Sequence, residues 1–145
     1  MSLSGKSNIN PRLWGPYFWE TIHFVAHGYP DNPNDTDKRA YKSFYRNMMK
    51  VLPCDKCANS AQTLFSRLKI EPFLNSRNDL IRWTHSFHSA VNDKLGKKSP
   101  SLEEFMHNFT NREEKGFKKY INYGLLIAII ILISIIIIRY TLNNL

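Results

Sequence analysis

From Tyr120 to Ile138 the chain carries no charged residue, and the stretch "GLLIAIIILISIIII" (124–138) is almost wholly aliphatic. At the helical rise these 19 residues span about 28 Å, close to the thickness of a bilayer's hydrocarbon layer. A helix that is apolar all round must be covered on every face, by protein or by lipid. The 119 residues before it are too few to supply that cover, so a membrane-spanning helix is expected.

Seven residues follow the span, and the opening "MSLSGKSNINPRLWG" contains no apolar core of the signal-peptide kind. The expectation is therefore a C-terminally anchored protein with a single membrane pass. Lys115, Lys118 and Lys119 precede the span and only Arg139 follows it, a bias that favours a cytosol-facing N-terminal domain. The sequons Asn34-Asp35-Thr36 and Asn108-Phe109-Thr110 would accept glycans on the opposite side, so their modification state tests the orientation.

Of the net charge of +8, only the +1 of Arg139 lies beyond residue 119, leaving +7 for the part before the span. That charge is scattered. Lys97-Lys98 and Lys118-Lys119 are only pairs, and no basic block or stripe supports nucleic-acid binding.

The soluble part reads as helices throughout. Gly15-Pro16 opens a first helix over 16–29, with Phe18, Ile22 and Val25 on one side. After the turn-rich "YPDNPND", a second helix over 36–52 places Tyr41, Phe44, Tyr45, Met48, Met49 and Leu52 at helical spacing. Pro53 ends it. A third helix over 54–68 has Cys57, Ala61, Leu64, Phe65 and Leu68 on one face. Leu80, Thr84, Phe87, His88, Val91 and Leu95 mark a fourth, closed by Gly96, and "SLEE" at 101–104 caps a short fifth. No strand pattern competes, so the fold class is all-α: a small four-helix bundle plus a short fifth helix, then the transmembrane helix.

Cys54 and Cys57, in "PCDKC", are the only cysteines in the 145 residues. Cys54 falls at the start of the third helix, where exposed backbone N–H groups and the helix dipole stabilise a thiolate. Lys56 adds positive charge. On this reading Cys54 is the more exposed sulfur and Cys57 faces the bundle, a division suited to redox exchange. A zinc site remains open, because Cys54-x-x-Cys57 and His85-x-x-His88 supply four ligands at feasible local spacings. Against it, the gap from Cys57 to His85 is about twice the usual finger spacing and no ββα pattern surrounds it. Inert thiols are the third possibility.

Trp19 and His23 lie four apart on the first helix, as His88 and Asn92 do on the fourth. Each alone reads as core or surface. Together they offer an indole, two imidazoles and an amide, a set better suited to a planar hydrogen-bonding ligand than to a hydrocarbon core.

The blocks "WGPYFWETIHFVA" (14–26), "PCDKC" (53–57) and "WTHSFHSAVNDKLGKK" (83–98), in this order and spacing, resemble those of the Erv/ALR family of FAD-linked sulfhydryl oxidases. The likeness covers residues 12–110 and is greatest to the minimal enzymes of large cytoplasmic DNA viruses. The resemblance implies a helical bundle that holds FAD, with Gly15, Trp19, His23, Cys57, His88, Asn92, Lys94 and Lys97 at cofactor-binding positions and Cys54/Cys57 as the catalytic pair. It implies no resident metal. It also implies a homodimer, O₂ as electron acceptor giving H₂O₂, and a dithiol protein or separate relay protein as partner. Where the family often has Asn after the histidine of the fourth helix, this chain has Ser89, and the additional shuttle cysteines of many cellular members are absent from the sequence. The expected organisation is a flexible 1–11, an oxidase domain over 12–112, a basic linker over 113–119, the span over 120–138 and a tail over 139–145.

Overall fold

The computed structural model describes residues 8–143. Five α-helices follow one another: α1 Pro11–His27, α2 Asp35–Val51, α3 Asp55–Arg67, α4 Arg77–Lys94 and α5 Leu102–Asn143, with one 3₁₀ turn at Glu71–Phe73. No strand occurs among the described residues. The chain divides into two compact units, one ending at Pro100 and one beginning at Ser101.

Side-chain caps set most of the helix starts. Asn10 Oδ1 accepts from the Arg12 N–H, and Pro11 occupies the first helical position, so α1 begins five residues earlier than Gly15-Pro16 predicts. Pro16 lies inside the helix instead of starting it. Asn34 and Asp37 form a reciprocal capping box on α2. Ser76 caps α4 through the Asp79 N–H, which extends that helix back beyond Leu80. Gly96 stops it with φ of 68°, the left-handed conformation that glycine adopts without a Cβ penalty.

In the first unit α1 packs on α4, α2 on α3, and α4 also touches α3 and the 3₁₀ turn. The core holds Ile22, Ala26, Tyr29, Tyr45, Met49, Ile70, Leu80, Ile81, Trp83 and Phe87, all buried. Trp83 is the hub: its ring meets Tyr45, Phe65 and Phe87 at centroid distances of 5.1, 5.7 and 5.2 Å. Its Nε1–H donates to the Leu68 carbonyl at 2.9 Å, which satisfies the one polar atom of the ring. Tyr45 and Tyr29 likewise donate their hydroxyls to the Ile22 and Leu74 carbonyls. Burial pushes both phenols above their ordinary range. They act as neutral structural donors.

The expected stripes hold in their main members and shift by a residue or two in others. On α3 the buried positions are Ala58 and Ala61, with Cys57 half-buried. On α4 the stripe ends at Phe87, while Leu95, in the capping turn, is exposed.

In the second unit Ser101 Oγ accepts the Glu104 N–H, as the "SLEE" reading expects. The helix it starts does not stop, however. It runs 42 residues as one piece through the basic stretch 113–119 and on through 120–138. Lysine and glutamate are good helix formers, so the change in composition at 113 brings no break in the backbone. All side chains from Tyr120 to Ile138 are exposed. Within the described residues α5 is the one helix long and apolar enough to cross a membrane.

Candidate functional site

The antiparallel packing of α1 on α4 brings three rings together. Trp19 lies flat on His88, with centroids 3.8 Å apart and planes 5° from parallel. His23 lies edge to edge with His88, their ring centroids 5.3 Å apart, and 6.3 Å from the Trp19 ring. The i, i+4 spacing on each helix creates this arrangement: level by level, His23 meets Thr84 and Trp19 meets His88. No atom lies within 4 Å of where a Cβ on Gly15 would sit, so the packing of this chain does not require glycine there.

A run of hydrogen bonds crosses the stack. His88 Nδ1 and His23 Nε2 are 3.0 Å apart, His23 Nδ1 and Thr84 Oγ1 are 3.2 Å apart, and Thr84 Oγ1–H donates to the Ile81 carbonyl at 2.9 Å. Thr84 is wholly buried and His23 is 7% exposed. Desolvation, followed by the charges of His88, His27 and His85, lowers His23 from 6.5 to about 3. Desolvation, His85 and Lys97 lower His88 to about 4. Both imidazoles are therefore neutral at pH 7 and act through stacking and hydrogen bonding, without a charge of their own.

The C-terminal end of α4 carries the remaining polar positions. Asn92 Nδ2 donates to Ser99 Oγ at 3.1 Å, and the Lys97 backbone N–H donates to the Asn92 carbonyl at 2.9 Å, which folds the 95–100 loop back on the helix. Lys94 Nζ reaches across to α3 and donates to Ser60 Oγ at 2.8 Å. Ser60 lies one turn beyond Cys57, so this bond joins the end of α4 to the cysteine helix.

Cys54 and Cys57 are joined as a disulfide, with Cα atoms 5.2 Å apart. Cys54 is the N-cap residue of α3, and its Sγ accepts the Cys57 N–H at 3.2 Å. Both cysteines are half-buried, so exposure does not separate them as the sequence reading expects. The segment ahead of α1 also reaches this point, because Asn8 Oδ1 accepts the Asp55 N–H at 2.9 Å.

The four zinc candidates are not gathered. Cys54 and Cys57 are bonded to each other, His85 contacts the Pro100 carbonyl, and His88 pairs with His23. Among the described residues no group of three or more His, Cys, Asp or Glu is placed to hold a metal ion.

Sequence reasoning missed the supporting residues. Thr84 reads as one more member of the α4 stripe, and nothing local in the sequence signals a bond to a residue 61 positions away. Ser60, Ser99 and Asn8 are equally silent until the chain is folded.

Residues 16–113 match the family model described as the Erv1/Alr family. A probable FAD-linked sulfhydryl oxidase of Acanthamoeba polyphaga mimivirus is 40% identical over 97 residues, 66% of this chain and 68% of that protein. An FAD-linked sulfhydryl oxidase of African swine fever virus (isolate Pig/Kenya/KEN-50/1950) is 36% identical over 112 residues, 77% of this chain and 88% of the relative. Among solved structures, the FAD-binding domain of Erv1 from Saccharomyces cerevisiae superposes with a TM-score of 0.62 at 29% identity, covering 66% of this chain and 90% of that one. Matched over residues 16–113 by sequence and over 66% of its length by fold, this chain belongs to the Erv1/Alr family.

Proposed function

We propose that this protein is an FAD-dependent thiol oxidase, which forms disulfides in partner proteins through the Cys54/Cys57 pair. The observation that carries the reading is the disulfide at the N-terminus of α3, tied through Lys94 to the helix that bears the Trp19/His88 stack. The names of the viral relatives support it.

The residues fit the cofactor. Trp19 and His88 present flat aromatic faces, and the imidazoles bring hydrogen-bonding edges. The exposed Lys94 and Lys97 carry charge suited to phosphates, and Gly15 leaves room that a side chain would fill. Gly15, Trp19, His23, Cys57, His88, Asn92, Lys94 and Lys97 would hold it. The chemistry FAD supplies when bound is a two-electron acceptor able to reduce O₂ to H₂O₂.

The steps on the protein are two thiol–disulfide exchanges. A substrate thiolate attacks Cys54 Sγ, the Cys54–Cys57 bond breaks, and Cys57 leaves as a thiolate. A second substrate thiolate then attacks the substrate sulfur of that mixed disulfide and releases Cys54 as a thiolate. The Cys57 N–H that points at Cys54 Sγ, together with the helix N-terminus, stabilises this second leaving group. Two substrate thiols become one disulfide, their two protons pass to solvent, and the pair holds two electrons. A dithiol substrate or a separate relay protein engages Cys54 directly.

α5 anchors the enzyme with the oxidase domain facing the cytosol, where it supplies disulfides to virion proteins at a host or virion membrane; the viral relatives and the lysines ahead of the span support this. Glycans on Asn34 or Asn108 would refute that orientation.

A homodimer is the assembly state supported by α1, whose outer face exposes Leu13, Tyr17 and Phe24 at helical spacing, at 67%, 72% and 50%. Light scattering in detergent should find two copies per particle, and Tyr17→Arg should halve the mass. A monomeric wild-type protein would remove the dimer.

The full chain purified in detergent should be yellow, with an absorbance maximum near roughly 450 nm, the flavin region, and should consume oxygen when given a dithiol. A colourless protein carrying one zinc per chain would overturn the oxidase reading.

A further inference from the structure

Thr84 has a single hydroxyl proton, and it goes to the Ile81 carbonyl at 2.9 Å. A carbonyl oxygen accepts only, so the reverse assignment would set two oxygen lone pairs against each other in a fully buried site. With its proton committed, Thr84 Oγ1 can only accept from His23, which fixes the proton of His23 on Nδ1. His23 Nε2 then holds a lone pair and accepts from His88 Nδ1–H. The neutral imidazole has one N–H, so the other nitrogen of His88 is an acceptor. The chain of bonds has one direction, and a backbone carbonyl of α4 sets it.

We propose that Thr84 is a positioning residue that fixes the tautomers of both histidines, so that His88 offers Nε2 as a hydrogen-bond acceptor to an amino or hydroxyl donor of the bound nucleotide. The inference deepens the cofactor reading above and rests on it.

The test uses the full chain in detergent, with histidine labelled in ¹⁵N, at about pH 7.5, where two-bond ¹H–¹⁵N spectra separate the two neutral tautomers. His23 and His88 should both be protonated on Nδ1. Thr84→Val, which keeps the shape and removes the acceptor, should move the His23 proton to Nε2 and weaken FAD binding about tenfold, the scale of one buried hydrogen bond. Thr84→Ser should restore both the wild-type tautomers and the affinity, and it is the folded control if the valine variant proves unstable. Wild-type His23 protonated on Nε2 would overturn the proposal. So would a valine variant with unchanged tautomers and an unchanged Kd for FAD. Absence of flavin from every variant would refute the cofactor reading instead, while the tautomers alone would still decide what Thr84 does.

Discussion

Replacing Cys57 with serine should leave a yellow protein whose dithiol-dependent oxygen consumption falls to background. Serine is nearly isosteric, and the helix cap survives because the bond to Cys54 Sγ comes from the backbone N–H of residue 57. The fold and the aromatic stack on α1 and α4 do not depend on the sulfur. The chemistry does: without a second sulfur there is no disulfide for a substrate thiolate to open, and a hydroxyl cannot carry the electron pair. Cys54→Ser should be equally inactive, for a different reason. It leaves Cys57 as a lone thiol, with no sulfur at the cap position for the substrate to attack. A mass spectrum distinguishes the two roles. The Cys57→Ser protein, exposed to an oxidised substrate, should retain a mixed disulfide on Cys54, because the internal thiol that would displace it is gone. Retained turnover in Cys57→Ser would remove that residue from the electron path.

The second large effect is on stability. Three histidines are held well below their ordinary value of 6.5: His23 at about 3, His88 at about 4 and His27 at about 4, the last by burial and the nearby Arg77 charge. Unfolded, all three titrate near 6.5. Below that pH the unfolded chain binds protons that the native one refuses, so stability is highest above pH 6.5 and falls as the pH drops toward about 4. The charges that add to burial are those of His88, His27 and His85 on His23, of His85 and Lys97 on His88, and of Arg77 on His27. For His23, the most buried, the loss at about pH 5 is about 2 kcal/mol, from 1.36 kcal/mol per pH unit. His88 and His27, more open to water, add less. Against a typical domain stability of roughly 5–15 kcal/mol, urea midpoints should drop clearly between about pH 7.5 and about pH 5. A flat profile would show that these histidines take up protons in the native state.

The secondary structure was legible wherever side chains carry a period. The α2 stripe of Tyr45, Met49 and Leu52 and the α4 stripe of Leu80, Thr84 and Phe87 lie where helical spacing puts them. Boundaries depended on caps that spacing does not reveal: Asn10 and Ser76 start α1 and α4 earlier than the apolar patterns suggest. The basic segment 113–119 looked like a linker because composition reports environment, while the backbone there continues as helix.

By itself the sequence determined an all-helical bundle, a 19-residue uncharged apolar segment, one cysteine pair at a helix start, and two polar–aromatic pairs with i, i+4 spacing. These are local properties, written in period, propensity and residue chemistry. Only the tertiary structure decided how they meet. The antiparallel register of α1 on α4 laid Trp19 on His88, joined His23 to His88 edge to edge, and gave His23 a partner in Thr84. The bond from Lys94 to Ser60 joined that stack's helix to the cysteines. Such contacts link residues 34 to 65 positions apart, and no local pattern encodes them. They follow from burying the apolar faces of four helices at once, which fixes the register and with it the site.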